Sequence, residues 1–196
     1  MAELVKKNIQ GAFLGETPVI ALYHGDVQIW AAATSAVFTS SGNFAVPSGI
    51  KSMTVTVIGA GGPVGAGGGL TMWGGHGGVG GLVVKIFEGA ELKNLPNSIN
   101  INVGICPDST GATGQNSSFN DTVIAYGGGG GGEGGFGYNG ANGYNGSGIG
   151  GDVTVGSPDA DRTYDGIVYG AGGSGTQGGG GGYSGAQGVV VIEWTY

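Results

Sequence analysis

The sequence predicts an all-β protein. An antiparallel β-sandwich with long glycine-rich loops is expected over residues 36–196, preceded by a short N-terminal hairpin repeat over residues 1–35. Three observations point there. Several stretches alternate apolar and polar residues with a β-branched bias, and no segment keeps a helical period. The 50 glycines of the 196-residue chain crowd into the gaps between those stretches.

The elements follow in chain order. Phe13-Leu14-Gly15-Glu16-Thr17-Pro18-Val19-Ile20 repeats as Tyr23-His24-Gly25-Asp26-Val27-Gln28-Ile29-Trp30 at a spacing of ten. Gly followed by an acid between apolar residues is turn chemistry, so each unit is expected to form a tight hairpin. So short a unit cannot bury its own apolar face. Phe13, Leu14, Val19, Ile20, Tyr23, Ile29 and Trp30 are therefore candidates for attachment to another protein or to further copies of this chain. Ala31–Ser35 reads as a linker. Strands are expected at Val37–Thr39, Phe44–Val46, Ser52–Ile58, Leu82–Phe87, Ile99–Ile105, Thr122–Tyr126 and Val189–Tyr196. Ile99, Ile101, Val103 and Ile105 should share one face, as should Val190, Ile192, Trp194 and Tyr196.

Glycine at this density usually means disorder, because each ordered glycine loses much backbone entropy. Disordered chains are poor in apolar residues and rich in charge, whereas this one is 39 % hydrophobic and 10 % charged. The glycines are better explained as packed, since backbones without Cβ can approach closely, polyproline-II-like packing being one form. With six prolines and no strict Gly-X-Y period along the chain, collagen itself is excluded. A net charge of −7 disfavours binding to nucleic-acid phosphates or anionic membranes. The single Cys106 excludes an internal disulfide framework and reads as a small hydrophobe rather than a nucleophile. The first residues lack the apolar run of a signal peptide, so synthesis in a cytoplasm is expected.

Phe44-Ala45-Val46-Pro47-Ser48-Gly49-Ile50-Lys51 leads into Met53–Gly62. Gly80–Lys85, Ile101–Gly104, Gly114–Phe119, Ala125–Gly129 and a closing Gly188–Glu193 follow in turn. This order resembles the glycine-rich domain of bacteriophage tail-fibre and tail-tip proteins over residues 36–196. The N-terminal repeat is similar to the Leu-Gly-acid-x-x-Val units near the N-termini of phage tail proteins. The resemblance implies a β-sandwich, a place in the virion and a part in host attachment. The partners it implies are other tail proteins through the N-terminus, and a host surface glycan or outer-membrane protein elsewhere. A homo-oligomer, with a trimer favoured by analogy, and no cofactor are expected. The alternative is a purely structural virion part, such as a head fibre, decoration or tail-hub plug.

Residues that could carry chemistry are scattered. Asp159, Asp161 and Asp165 have the spacing of a calcium loop, but Gly170 stands where the closing Glu belongs. His24 and His76 stand apart, which argues against zinc. No Gly-Lys-Ser/Thr follows the glycine runs, as a phosphate loop requires, and no carboxylate pair suggests glycan hydrolysis. A non-enzymatic protein is expected. Trp73, Phe136, Tyr138, Tyr144, Tyr164, Tyr169 and Tyr183 lie among the glycines, and aromatic rings with Gly, Ser and Asn make adaptable binding surfaces. They are the candidate receptor contacts, with Phe136–Gly140 and Gly143–Gly146 expected as twin loop tips. The blander alternative is that these rings shield packed glycine backbone.

Overall fold

In a computed structural model of the chain, the described residues are all but 1–11, 15–16, 20, 25–26, 32–33, 69–71, 136–138, 155–162 and 175–183. Residues 12–31 are described by backbone alone. β1 (Ala12–Leu14) pairs with β2 (Thr17–Val19), and β3 (Ala21–His24) with β4 (Val27–Ala31), each pair antiparallel. Leu14 faces Thr17 and His24 faces Val27, in keeping with the two hairpins the repeat predicts, while the Gly-acid dipeptides lie outside the described residues. Phe13, Leu14, Val19, Tyr23, Ile29 and Trp30 fall in these strands, while Ile20 lies outside the described residues.

The rest of the chain continues with β5 (Ser35–Phe38), β6 (Gly42–Ala45), β7 (Ser52–Ile58) and β8 (Leu82–Glu88). The helix α1 (Gly89–Lys93) leads to β9 (Ser98–Asn102), β10 (Ser117–Phe119) and β11 (Val123–Ala125). Then come β12 (Gly148–Ile149), β13 (Asp152–Thr154), β14 (Thr163–Tyr164), β15 (Ile167–Val168) and β16 (Val189–Thr195). Two five-stranded antiparallel sheets form, ordered β12-β11-β10-β9-β6 and β13-β8-β7-β16-β5. The consecutive strands β5 and β6 end up in different sheets, as do β12 and β13, so the chain joins sheet to sheet at both edges.

The two sheets share one apolar core. Met53, Val55, Val57, Val83, Phe87, Val190, Ile192 and Trp194 come from one sheet, and Phe44, Ile99, Ile101, Phe119, Val123 and Ala125 from the other. Rings meet between them: Phe44 against Trp194 at 5.6 Å, and Phe87 against Phe119 at 5.4 Å. The expected facing of the last strand holds, since Val190, Ile192 and Trp194 are buried while Glu193 is exposed. A second, smaller cluster lies on the other side of that strand, where Tyr169 packs with Ile58, Val189 and Val191.

Three departures from the sequence reading have local causes. Ile105 is 53 % exposed rather than in line with Ile99, because β9 ends at Asn102. Beyond it the Gly104 N–H turns to bond the Ser117 hydroxyl. That same bond satisfies Ser117 inside β10, a buried Ser-Ser-Phe strand whose polar composition hid it. The one-turn helix α1 is too short to show a period. It has Glu91 in its first turn and Lys93 in its last, as the helix dipole favours, and Glu91 pairs with Lys85 at 3.0 Å.

The described glycine-rich segments are extensions of the strands rather than loops. β7 and β8 pair up to Ile58 and Leu82, and the same register runs on through Gly59 N–H to Gly81 O, Gly62 to Gly78 and Gly65 to Gly75, at 2.8–2.9 Å. Beyond β11 and β12 the register continues likewise, through Tyr126 to Ser147, Gly129 to Tyr144 and Gly132 to Ala141. What changes is the period, from two residues to three. Three residues per turn is the polyproline-II repeat, and its rise per residue is close to that of a strand, so register carries across the junction.

Candidate functional site

Each glycine-rich segment bonds several neighbours, one per row of residues. From 72–81, Gly75, Gly78 and Gly81 donate to Gly132, Gly129 and Tyr126, while Gly77 and Gly80 donate to Gly173 and Gly170. Gly128, Gly131 and Gly134 donate to Ala60, Pro63 and Ala66, closing a triangle of segments 59–68, 72–81 and 126–135. Segment 139–147 rests on the other side of the 72–81 and 126–135 pair. Its Gly140, Gly143 and Gly146 donate to Trp73, His76 and Val79 at 2.8–2.9 Å.

The glycine rows mark which faces are covered. In Trp73–Gly81, read as X-Gly-Gly triplets, a Cβ on Gly74, Gly77 or Gly80 would strike carbonyls of Gly65, Gly62 or Gly59. One on Gly75, Gly78 or Gly81 would strike those of Ala141, Tyr144 or Ser147. The third row, Trp73, His76 and Val79, carries side chains. In Asn139–Ser147 only one row is glycine, the row that enters the groove between 72–81 and 126–135. The run Gly127–Gly132 lies between neighbours on several sides. Collagen uses the same steric logic, with glycine wherever the axis is crowded.

A ladder follows from this arrangement. The backbone N–H of Trp73 donates to Asn139 Oδ1 at 3.0 Å, that of His76 to Asn142 Oδ1 at 3.0 Å, and that of Val79 to Asn145 Oδ1 at 3.2 Å. Each rung thus sets a side chain of 72–81 beside an asparagine of 139–147. Trp73 is 44 % exposed, and His76, Asn139, Asn142 and Asn145 are exposed with it. On the adjoining row Tyr144 is 65 % exposed. Its ring lies over Gly129, where a Cβ would come within 2.5 Å of Cδ1, and its hydroxyl is 3.3 Å from Thr113 Oγ1.

Of the aromatic residues singled out in the sequence, Trp73 and Tyr144 belong to this surface. Tyr164 is half-buried against the small cluster around Val189. Tyr169 is a correction: at 2 % exposure it is a core residue, because the chain returning from β15 folds it onto Ile58 and Val191. Phe136, Tyr138 and Tyr183 lie outside the described residues. Of the twin tips, Phe136–Gly140 lies mostly outside the described residues, and Gly143–Gly146 is part of the continuous segment 139–147 with Tyr144 midway along it. Asp165 occupies a two-residue turn with Gly166, at φ 51° and 76°, between the paired Tyr164 and Ile167. Asp159 and Asp161 lie outside the described residues, and among the described ones no three His, Cys, Asp or Glu side chains converge.

His76, weighed in the sequence for zinc alone, and the row formed by the three asparagines were not foreseen as one surface. Their signal was Asn139, Asn142 and Asn145 at intervals of three, each followed by glycine. Elsewhere, a shallow hollow lined by Val46, Pro47, Ile50, Leu92, Lys51 and Lys93 lies by α1 and gathers no reactive group. Burial pushes the Cys106 thiol above its ordinary value, which opposes nucleophilic use. No protein-family model matches the chain, and comparison with curated proteins finds no match.

Proposed function

We infer that this chain is a bacteriophage virion protein, a tail-fibre or tail-tip component that contributes to attachment at the host surface. The observation carrying this reading is the exposed ladder of Trp73, His76 and the asparagines, with Tyr144 beside it, on close-packed glycine backbone. Such a backbone cannot rearrange without breaking several hydrogen bonds, so rings mounted on it lose little conformational freedom on binding. The N-terminal hairpins serve to join the chain to other tail proteins or to its own copies, a trimer being the favoured assembly. The protein works by contact, without catalysis or a cofactor.

A structural virion part is the second reading, and one contact favours it: Tyr144 covers Gly129 and meets Thr113, as a shielding ring would. Melting and cell binding measured together on Trp73→Ala and Tyr144→Ala separate the two. Attachment predicts melting close to wild type with binding lowered by about 2 kcal/mol or more for an anchoring ring. Melting that falls in proportion to binding supports the structural part instead, and binding that survives both changes moves the contact surface elsewhere on the chain.

A further inference from the structure

We propose that the ladder binds an uncharged, linear polysaccharide laid along the 72–81 and 139–147 segments. The inference rests on the attachment reading and chooses the chemical class of the receptor. Each asparagine Oδ1 is committed to a backbone N–H, which fixes the orientation of the amide. The Nδ2 groups of the exposed Asn139 and Asn142 are then left as donors on the surface. Rungs recur every three residues, roughly 9 Å apart at the polyproline-II rise. A protein ligand offers no matching period unless it is itself a repeat. An extended β-linked glycan does, because every second sugar faces the same way at a similar interval.

The side chains suit that ligand. Trp73 and Tyr144 present exposed ring faces, which pack against the apolar face of a pyranose, and amides bond its hydroxyls. Among the described residues along the strip the charged neighbour is Glu133, on the 126–135 segment, and the whole chain carries −7. An anionic chain such as a phosphorylated or uronic-acid polymer would be repelled.

Asn142→Asp provides a clean variant. The carboxylate keeps the oxygen that accepts from His76 N–H, and it replaces the NH₂ donor with a second acceptor and a negative charge, neither of which can donate to a hydroxyl oxygen. It should therefore melt close to wild type and yet lose about fivefold in glycan affinity, the effect of one net hydrogen bond. Trp73→Ala should lose about thirtyfold. The probes are β-1,4-linked N-acetylglucosamine and glucose oligomers of increasing length, titrated by calorimetry into the full chain, for which affinity should rise until the oligomer spans the rungs. Unchanged affinity in both variants overturns the proposal, as does an affinity that ignores oligomer length.

Whole-cell binding completes the test, using the bacterium that propagates the particle. Binding that survives protease treatment of the cells but is lost after periodate oxidation supports the glycan. Binding lost to protease and indifferent to periodate overturns it and makes the receptor a protein, leaving the attachment reading intact. Absence of binding to untreated cells overturns the attachment reading itself, and the glycan with it.

Discussion

At the residue scale, the glycines of this protein fall into two kinds with different physical requirements. Those of the array are needed for space: a Cβ on Gly78 would fall on the Tyr144 carbonyl, yet Gly78 is not among the positive-φ glycines. Gly89 is the opposite case, at φ 52° with nothing within 4 Å of an added Cβ. Gly78→Ala should therefore cost about 3 kcal/mol or more, because backbone cannot swing aside as a side chain would. Gly89→Ala should cost about 1 kcal/mol, for the left-handed conformation alone. Denaturant unfolding of the two variants checks the order. Equal costs would mean that conformation, not close approach, sets the demand for glycine.

At the element scale, two periods divide the work. Period two fills the sheets: Val190, Ile192 and Trp194 face the core, and Glu193 faces out. Ile192→Ala should destabilise by about 2–5 kcal/mol through the cavity it leaves, and Glu193→Ala by no more than about 0.5 kcal/mol. Thermal or denaturant unfolding of both decides it, and the reverse order would require the strand to be flipped by one residue. Period three builds the array, and here the number of glycine rows states how many faces are covered. It is two in 73–81 and one in 139–147. That information was present in the sequence, as X-Gly-Gly and Asn-Gly-X triplets, but confined to nine-residue windows that a search for a chain-long Gly-X-Y period passes over.

At the scale of the whole molecule, the array springs from the ends of strands in both sheets. Segments 59–68 and 72–81 continue β7 and β8, and 126–135 and 139–147 continue β11 and β12. The array thus takes its register from strands already fixed by the core. Among the described residues the core begins at Ala36, and the described strands β1–β4 pair within their own hairpins. Deleting residues 1–30 should therefore leave the melting of the remaining chain within a few degrees of the full chain, Thr34 being kept because its carbonyl accepts from Trp194 N–H. On the attachment reading the deletion should also remove incorporation into particles. Calorimetry of the truncated protein checks the first half, and its failure to fold would make the hairpins part of the core. Sedimentation of the two forms tests the proposed trimer and whether the same segment sets it, a monomer being expected on truncation.

The all-β class, the two N-terminal hairpins and the facing of the last strand were legible in the sequence, because each rests on a period or turn signal within about ten residues. Ile99 and Ile101 were placed correctly and Ile105 was not, since alternation cannot show where hydrogen bonding to a neighbour stops. Trp73 and Tyr169 were expected alike as surface rings, and Trp73 is exposed while Tyr169 is buried. Both are aromatic residues followed by glycine, and only the partner segments decide which is covered. Residues 139 and 73 are far apart in the chain, and nothing local announces that Asn139 Oδ1 will meet Trp73 N–H. Local sequence determined the period of each segment. Which faces were then buried, and so which side chains remained to meet a partner, was decided by the tertiary packing of backbone on backbone.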